Sequence, residues 1–231
     1  MKTQETKQAV LAPLGTSGQT AVAHNTIKIL SEDLYALKPS LSYGDVNDPN
    51  TGMSGQKVFM KGLAIRMMVQ NYTSQPTVIY RVMVIQLPRG EDVATPQLFE
   101  GLHTNKAIDF VDTQRYKVIY SKNFKITHPN QGVYGGESTG IGGEYIETAG
   151  GSDERMIQPG QRVFKIWLPV NKTIGYLDYA QRQTIDGNAN TLVPKLHHQL
   201  VIYPIAPYGT PDGTNVGNIA GIVMKKYFKD G

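Results

Sequence analysis

The chain has 231 residues, of which 40% are hydrophobic and 18% charged, and its net charge is +4. It contains no cysteine, which excludes a disulfide scaffold, a thiolate metal site and a cysteine nucleophile. The composition is that of a folded protein rather than a disordered one, and no apolar run approaches the length needed to span a membrane.

Residues 1–23 are small, polar and without an apolar period. Such a segment predicts a flexible N-terminal arm. Beyond it we find no internal repeat and no linker that would divide the chain. Residues 24–231 are therefore predicted to form a single domain.

After the arm, runs rich in β-branched and aromatic residues alternate with turn-rich connections, and eight strands are predicted. Their ranges are 24–37, 57–71, 77–87, 115–126, 161–170, 172–177, 197–206 and 218–228. One short helix is predicted over 95–102. Thr95 suits its N-cap, Pro96 suits the first helical position, and Gly101 can end it.

The order of these elements indicates the fold class. No helical period alternates with the strands, which excludes a doubly wound βαβ sheet. Eight antiparallel strands in a chain of this length fit one all-β sandwich or barrel with long loops. Each strand is predicted to bury one apolar face and to expose the other, because successive side chains point to opposite sides.

Two predicted strands show this alternation clearly. In 161–170, one face carries Phe164, Ile166 and Leu168. In 115–126, one face carries Tyr116, Val118, Tyr120, Phe124 and Ile126. We expect both sets to lie in a core shared by two packed sheets.

Charge is distributed unevenly along the chain. Residues 57–125 hold ten Lys or Arg and five Asp or Glu, whereas residues 131–160 hold five acidic residues and only Arg155. Basic strand faces predict sequence-independent contact with nucleic acid, because Lys and Arg neutralise phosphates. The candidates are Lys57, Lys61, Arg66, Arg115, Lys117 and Lys125. The alternative is that these are ordinary solvated strand faces.

Four aromatic residues within predicted strands are candidates for stacking on unpaired bases. They are Tyr80, Tyr116, Tyr120 and Trp167. Aromatic side chains bury large apolar areas. We therefore expect most of the four to pack in the core or between subunits.

The segment Gly136-Glu137-Ser138-Thr139-Gly140 matches the G-x-S-x-G pattern of serine hydrolases. A nucleophile elbow needs a buried strand before its serine and a helix after it. Here Pro, Asn and Gly residues come before the segment and more Gly residues follow it, so neither element is expected. We predict an exposed loop instead. Its acidic character favours the outer surface, and no enzyme activity is predicted.

The histidines predict no metal site. His197 and His198 are adjacent on a predicted strand, so their side chains point to opposite faces and cannot bind one ion together. The remaining histidines, His24, His103 and His128, are isolated in the sequence. No phosphate-binding loop pattern is present either, so no cofactor is predicted.

Several motifs in order resemble a known family. In “GLAIRMMVQNYTSQPTVIYRVMVIQLPRGEDVATPQLFE” a strand ends in Asn71, Arg81 lies inside the next strand, and the “TPQLFE” helix follows. “RYKVIYSKNFKI” is similar to a family strand “RF-x-V-L-x-D-K”, with Ser121 in place of the usual Asp. “KIWLPVNKTIGY” is similar to “K-x-Y-I-x-L-N…Y”, and the chain closes on “KKYFKD”. From about residue 57 onward, the chain resembles capsid proteins of circovirus-like and geminivirus-like single-stranded DNA viruses, whose circular genomes encode their own replication protein.

The resemblance implies an eight-stranded antiparallel jelly roll that self-assembles into an icosahedral shell around single-stranded DNA. The implied partners are other copies of the chain, the DNA, and a host receptor reached through surface loops. The implied locations are the virion and the host nucleus. The alternative function is a jelly-roll module that binds carbohydrate or another ligand.

The N-terminal segment departs from the family pattern. Such capsid proteins usually begin with an arginine-rich arm, whereas residues 1–23 hold Lys2 and Lys7 beside Glu5. No basic import signal is therefore recognised in this chain. DNA binding is predicted to be weak, and it is assigned to the strand faces rather than to the arm.

Overall fold

Eleven β-strands make up most of the described part of the chain. The computed structural model describes residues 7–11, 20–37, 56–72, 74–93, 98–101, 106, 108–127, 160–177, 183–185, 188–207 and 209–230. The strands are β1 (Lys7–Leu11), β2 (Thr20–Ala23), β3 (Lys28–Ser31), β4 (Lys57–Asn71), β5 (Thr77–Leu87), β6 (Lys117–Thr127), β7 (Gln161–Gly175), β8 (Gln183–Ile185), β9 (Asn188–Thr191), β10 (His197–Ile205) and β11 (Asn215–Asp230).

The strands form two packed antiparallel sheets. Sheet I has the order β1–β11–β4–β7, with β2 also paired to β11, and sheet II has the order β3–β10–β5–β6. From β2 onward the main strands alternate between the sheets, except that β5 and β6 both lie in sheet II. The early strand β2 thereby pairs with the last strand, as in a jelly roll. The predicted all-β fold of two packed sheets is confirmed, and β8 and β9 add a separate hairpin between β7 and β10.

One hydrophobic core lies between the two sheets. β4 contributes alternating side chains to it: Val58, Met60, Leu63, Ile65, Met67 and Val69. The alternation shifts by one residue beside Gly62, where the pairing with β7 contains a β-bulge. β7 contributes Phe164, Ile166 and Leu168, which are all buried as the sequence predicts.

The outer face of sheet II is covered by the connection between β5 and β6. Side chains of the sheet, such as Met83 and Tyr203, form a second apolar cluster with Leu98, Phe99 and Val111 of that connection. Phe99 and Tyr203 meet nearly edge to face, with ring centroids 5.0 Å apart. Sheet II therefore has apolar side chains packed on both of its faces.

The side chains predicted to share one face of β6 are divided between the two apolar clusters. Tyr120, Phe124 and Ile126 pack in the core between the sheets. Tyr116 and Val118 belong to the second cluster instead. The prediction that all five share one face is wrong, because the pairing of β5 with β6 shifts register near the start of β6.

Two predicted strand boundaries are corrected at asparagines that have positive φ. The predicted strand 24–37 is a turn at Asn25 (φ 53°) followed by the short β3. The predicted break between 161–170 and 172–177 is absent, because β7 continues through Asn171 (φ 46°) as one strand. Asparagine enters this region more readily than most residues, so it can end one strand and bend another.

Sheet I includes two segments of the predicted arm. Lys7–Leu11 and Thr20–Ala23 form β1 and β2, which pair with successive parts of β11. Val22 is 1% exposed, so β2 also contributes to the core. The sheet therefore begins before residue 24, the predicted start of the domain.

Helix is scarce in the described ranges. Of the helix predicted over 95–102, only 98–101 are described, and Phe99 forms an antiparallel bridge to Val111 there. No helix in these ranges is long and apolar enough to cross a lipid bilayer.

A buried polar network ties the turn after β4 to β5 and β6. Asn71 Nδ2 donates to the carbonyls of Gln75 (3.2 Å) and Ile126 (3.3 Å). Asn71 Oδ1 accepts a hydrogen bond from the Tyr80 hydroxyl at 2.8 Å. Asn71 and Tyr80 are both fully buried, and burial raises the pKa of Tyr80, which keeps its hydroxyl a neutral donor.

Candidate nucleic-acid interface

The outer face of sheet I differs from that of sheet II because large apolar side chains remain exposed on it. Phe59, Val163, Trp167 and Val223 are 39%, 49%, 54% and 48% exposed. They lie on the adjacent strands β4, β7 and β11. We call this surface, formed by the outward side chains of these three strands, the sheet I face. Exposed large apolar side chains on one surface make that surface a candidate for binding.

Basic residues dominate the sheet I face. The strands β4, β7 and β11 each carry three Lys or Arg, and their one acidic residue is Asp230 at the end of β11. Alternation with buried neighbours places six of the cations on the outward side: Lys57, Lys61, Arg66, Lys165, Lys225 and Lys229. Paired strands lie about 4.8 Å apart. Positive charge is thus concentrated on a surface that would attract a polyanion.

An aromatic pair lies on the same surface. The rings of Trp167 and Tyr227 meet at 63° with centroids 5.6 Å apart. Lys225 Nζ lies 5.6 Å from the centre of the Tyr227 ring, in a cation–π arrangement. A Cβ on Gly62 would lie 2.6 Å from Trp167 Cζ2 and 2.8 Å from the Leu168 carbonyl oxygen. The glycine therefore provides the space that the indole occupies.

The structure brings together only half of the predicted basic candidates. The candidates on the sheet I face are Lys57, Lys61 and Arg66. Lys117 and Lys125 are exposed on β6, at the edge of sheet II. Arg115 precedes β6, and its Nη2 lies 3.9 Å from Glu91 Oε2. These last three cations therefore belong to a different surface.

Three outward cations of this face, Lys165, Lys225 and Lys229, were missed as sequence candidates. Trp167 was a candidate for stacking, although most of the four aromatic candidates were expected to pack in the core or between subunits. Lys165 and Trp167 alternate with the buried Phe164, Ile166 and Leu168, and this spacing was the signal that could have placed them outward. Of the other aromatic candidates, Tyr80 and Tyr116 are buried as expected, and Tyr120 packs against the core.

The histidines that the structure describes, His24, His197 and His198, each contact different groups. His197 Nε2 lies 2.6 Å from the Glu32 carbonyl oxygen, whereas the His198 ring packs against Tyr35 with centroids 4.4 Å apart. No group of three or more potential metal ligands occurs in the described ranges.

His198 predicts a loss of stability in mild acid. Burial, with smaller contributions from His197, Lys117 and Lys172, lowers its pKa from 6.5 to about 4, against the opposing effect of the hydrogen bond with the Leu196 carbonyl. Between these two values the unfolded chain binds a proton that the folded chain excludes. The free energy of unfolding should therefore fall as pH decreases through this window, by up to about 1.4 kcal/mol per pH unit from this group.

Urea unfolding at several pH values between 7 and 4 measures this effect. His198→Gln removes the titrating group and should flatten the dependence on pH, whereas the matched variant His197→Gln should keep most of it. An unchanged slope in His198→Gln would assign the acid sensitivity to other groups.

Residues 136–140, predicted as an exposed loop, lie outside the described ranges. The sequence matches no protein-family model and no curated protein. The family resemblance of the motifs therefore stays a prediction.

Proposed function

We propose that the chain is a capsid protein whose jelly roll self-assembles into a closed shell around single-stranded DNA. The sheet I face is the observation that carries this proposal, because it combines clustered cations with exposed aromatic and aliphatic side chains. A shell subunit needs one surface that tolerates a polyanion, and phosphate neutralisation provides most of the sequence-independent affinity for nucleic acid. The order of the family-like motifs supports the same function.

Self-assembly needs a second surface, and the segment 108–112 offers one. Ile108 and Phe110 are 63% and 69% exposed. Asp109 between them is 3% exposed and forms a salt bridge with Lys106. The segment therefore turns its carboxylate inward and its two apolar side chains outward, on the sheet II side of the molecule. We assign this apolar pair to a contact between subunits.

Arg81 holds that segment against sheet II. Its Nη1 donates to the carbonyls of Lys106 and Asp109, each at 3.0 Å, and its Nε donates to Ser121 Oγ at 3.3 Å. The guanidinium carbon lies 5.5 Å from the centre of the Phe99 ring. Because the backbone of the segment is anchored, less conformational entropy is lost when a neighbouring subunit covers its apolar side chains.

Electron microscopy and light scattering of the purified chain test the proposal. We expect closed particles of uniform size that dissociate into subunits only under destabilising conditions. A monomer that persists across pH, salt and protein concentration would contradict shell formation. Such a monomer would favour the alternative, a jelly-roll module that binds carbohydrate or another ligand. Empty and filled particles are distinguished by the ratio of absorbance at 260 and 280 nm.

A further inference from the structure

Trp167 is the chain's one tryptophan, and it is 54% exposed although its strand neighbours Ile166 and Leu168 are buried. Its position is supported from two sides. Gly62 lies beside its six-membered ring, and Tyr227 meets it edge to face. An indole that is exposed yet held by its neighbours presents a preformed apolar surface to a ligand.

Cations lie around the indole in neighbouring register positions. Trp167 pairs with Ala64, and Ala64 pairs on its other side with Lys225. The adjacent row pairs Arg66 with Lys165, which precedes Trp167 by two residues on the same face of β7. Residues two apart on a strand are about 6.6 Å apart. Positive charge therefore lies both beside the indole along β7 and across the sheet from it.

We propose that Trp167 is a base-stacking site for single-stranded DNA, with Arg66, Lys165 and Lys225 neutralising the phosphates that flank the stacked base. This inference deepens the proposed function and takes its ligand from it. An exposed indole stacks on any base, and flanking cations contact the backbone, so the site binds without sequence preference. Unpaired bases offer faces for stacking, whereas a duplex would reach this surface mainly through its phosphates.

A second copy of the chain is the competing occupant of this face. Charge opposes a symmetric contact between two copies at this face, because the six outward cations of one copy would meet the six outward cations of the other. A polyanion satisfies the cations and the indole together. Tryptophan fluorescence, with and without nucleic acid, distinguishes the two occupants.

Trp167 itself reports the binding, because fluorescence at 295 nm excitation comes mainly from the one tryptophan. Full-length subunits are titrated with a fluorescein-labelled oligo-dT, with the same length of duplex DNA and with polyphosphate, at several salt concentrations. Anisotropy or competition measures affinity, and unlabelled ligands measure tryptophan quenching. We expect quenching by oligo-dT, little quenching by polyphosphate or duplex, and affinity that falls steeply with salt.

Variants separate stacking from charge. Trp167→Leu should lower the affinity for oligo-dT by about 5- to 150-fold per stacked base, whereas Trp167→Phe should restore part of it. Lys165→Glu should reduce the salt dependence and weaken binding of all three polyanions. The matched variant Lys125→Glu makes the same change of charge on β6 and should have a much smaller effect.

Several outcomes would overturn the inference. One is an unchanged oligo-dT affinity in Trp167→Leu when circular dichroism shows native folding, and another is equal quenching by all three polyanions. A change in Trp167 emission on assembly without nucleic acid, and none on adding oligo-dT, would assign this face to a subunit contact.

The capsid proposal is judged separately by microscopy of the same preparations. Stacking at Trp167 in a chain that never forms particles would keep the site and reject the shell. Particles that form normally, together with an oligo-dT affinity that does not depend on Trp167, would support the shell and reject the site.

Discussion

Replacing Ile108 and Phe110 together by serine is expected to yield a folded subunit that no longer forms particles. Both side chains are largely exposed in the subunit, so their loss removes little of the packing that stabilises the fold. In a shell, the same loss would recur at every copy of the contact. Removal of two central apolar side chains typically weakens an interface by several kcal/mol, and repetition makes assembly highly sensitive to it.

Light scattering and electron microscopy measure particle formation by this variant, and urea unfolding checks that the subunit keeps its stability. Val163→Ser is the matched control, because Val163 is an exposed apolar side chain on the sheet I face. The control should still assemble. If the double variant forms particles as readily as the parent chain, the segment 108–112 is not a subunit contact.

Arg81 offers an independent route to the same result. Arg81→Lys keeps the charge but cannot donate from a rigid fork to the carbonyls of Lys106 and Asp109. We expect the segment to loosen, which would reduce assembly without altering the exposed side chains. Faster hydrogen exchange of residues 108–111 in this variant would measure the loosening directly.

Asn71→Leu is expected to be among the most destabilising single changes of similar volume in the described fold. It removes the partner of the buried Tyr80 hydroxyl and the donor to the carbonyls of Gln75 and Ile126. Leaving a buried polar group without a partner costs about 1–3 kcal/mol. We expect a loss of roughly 3 kcal/mol or more in the free energy of unfolding, or about 6–12 °C in the melting temperature.

Urea and thermal unfolding measure this loss. Tyr80→Phe is the matched control, because it removes one hydroxyl and leaves Asn71 bonded to both carbonyls; it should cost about 1–2 kcal/mol. The double variant should cost less than the sum of the single changes, since the two side chains interact directly. Additive effects, or a loss below about 1 kcal/mol for Asn71→Leu, would show that the network contributes little.

The two residues that anchor the motif resemblance have structural roles in this chain. Asn71 joins the turn after β4 to β5 and β6, and Arg81 holds the β5–β6 connection on sheet II. These contacts account for the Asn and the Arg at these two positions of this chain.

The amino-acid sequence by itself determined the fold class and the most regular strands. The ranges predicted at 57–71 and 77–87 are those of β4 and β5. Both carry long apolar, β-branched runs that end at polar or proline residues, and these are local signals. The buried side of β7 was also predictable, because a two-residue period is a property of the strand alone.

Only the tertiary structure decided which sheet faces are covered and which side chains remain exposed on the uncovered face. Tyr116 and Val118 do not share the face of Phe124 and Ile126, because the pairing of β6 with β5 shifts register between them. Such a bulge depends on the partner strand and not on the sequence of β6 alone. β1 and β2 form because β11 offers an edge to pair with, although their own sequences are weakly patterned. Trp167 was a candidate for stacking, but the sequence did not decide between that role and packing in the core or between subunits, where most of the aromatic candidates were expected. Its exposure follows from its position opposite the buried row of β7, on a sheet whose outer side has no covering layer among the described residues.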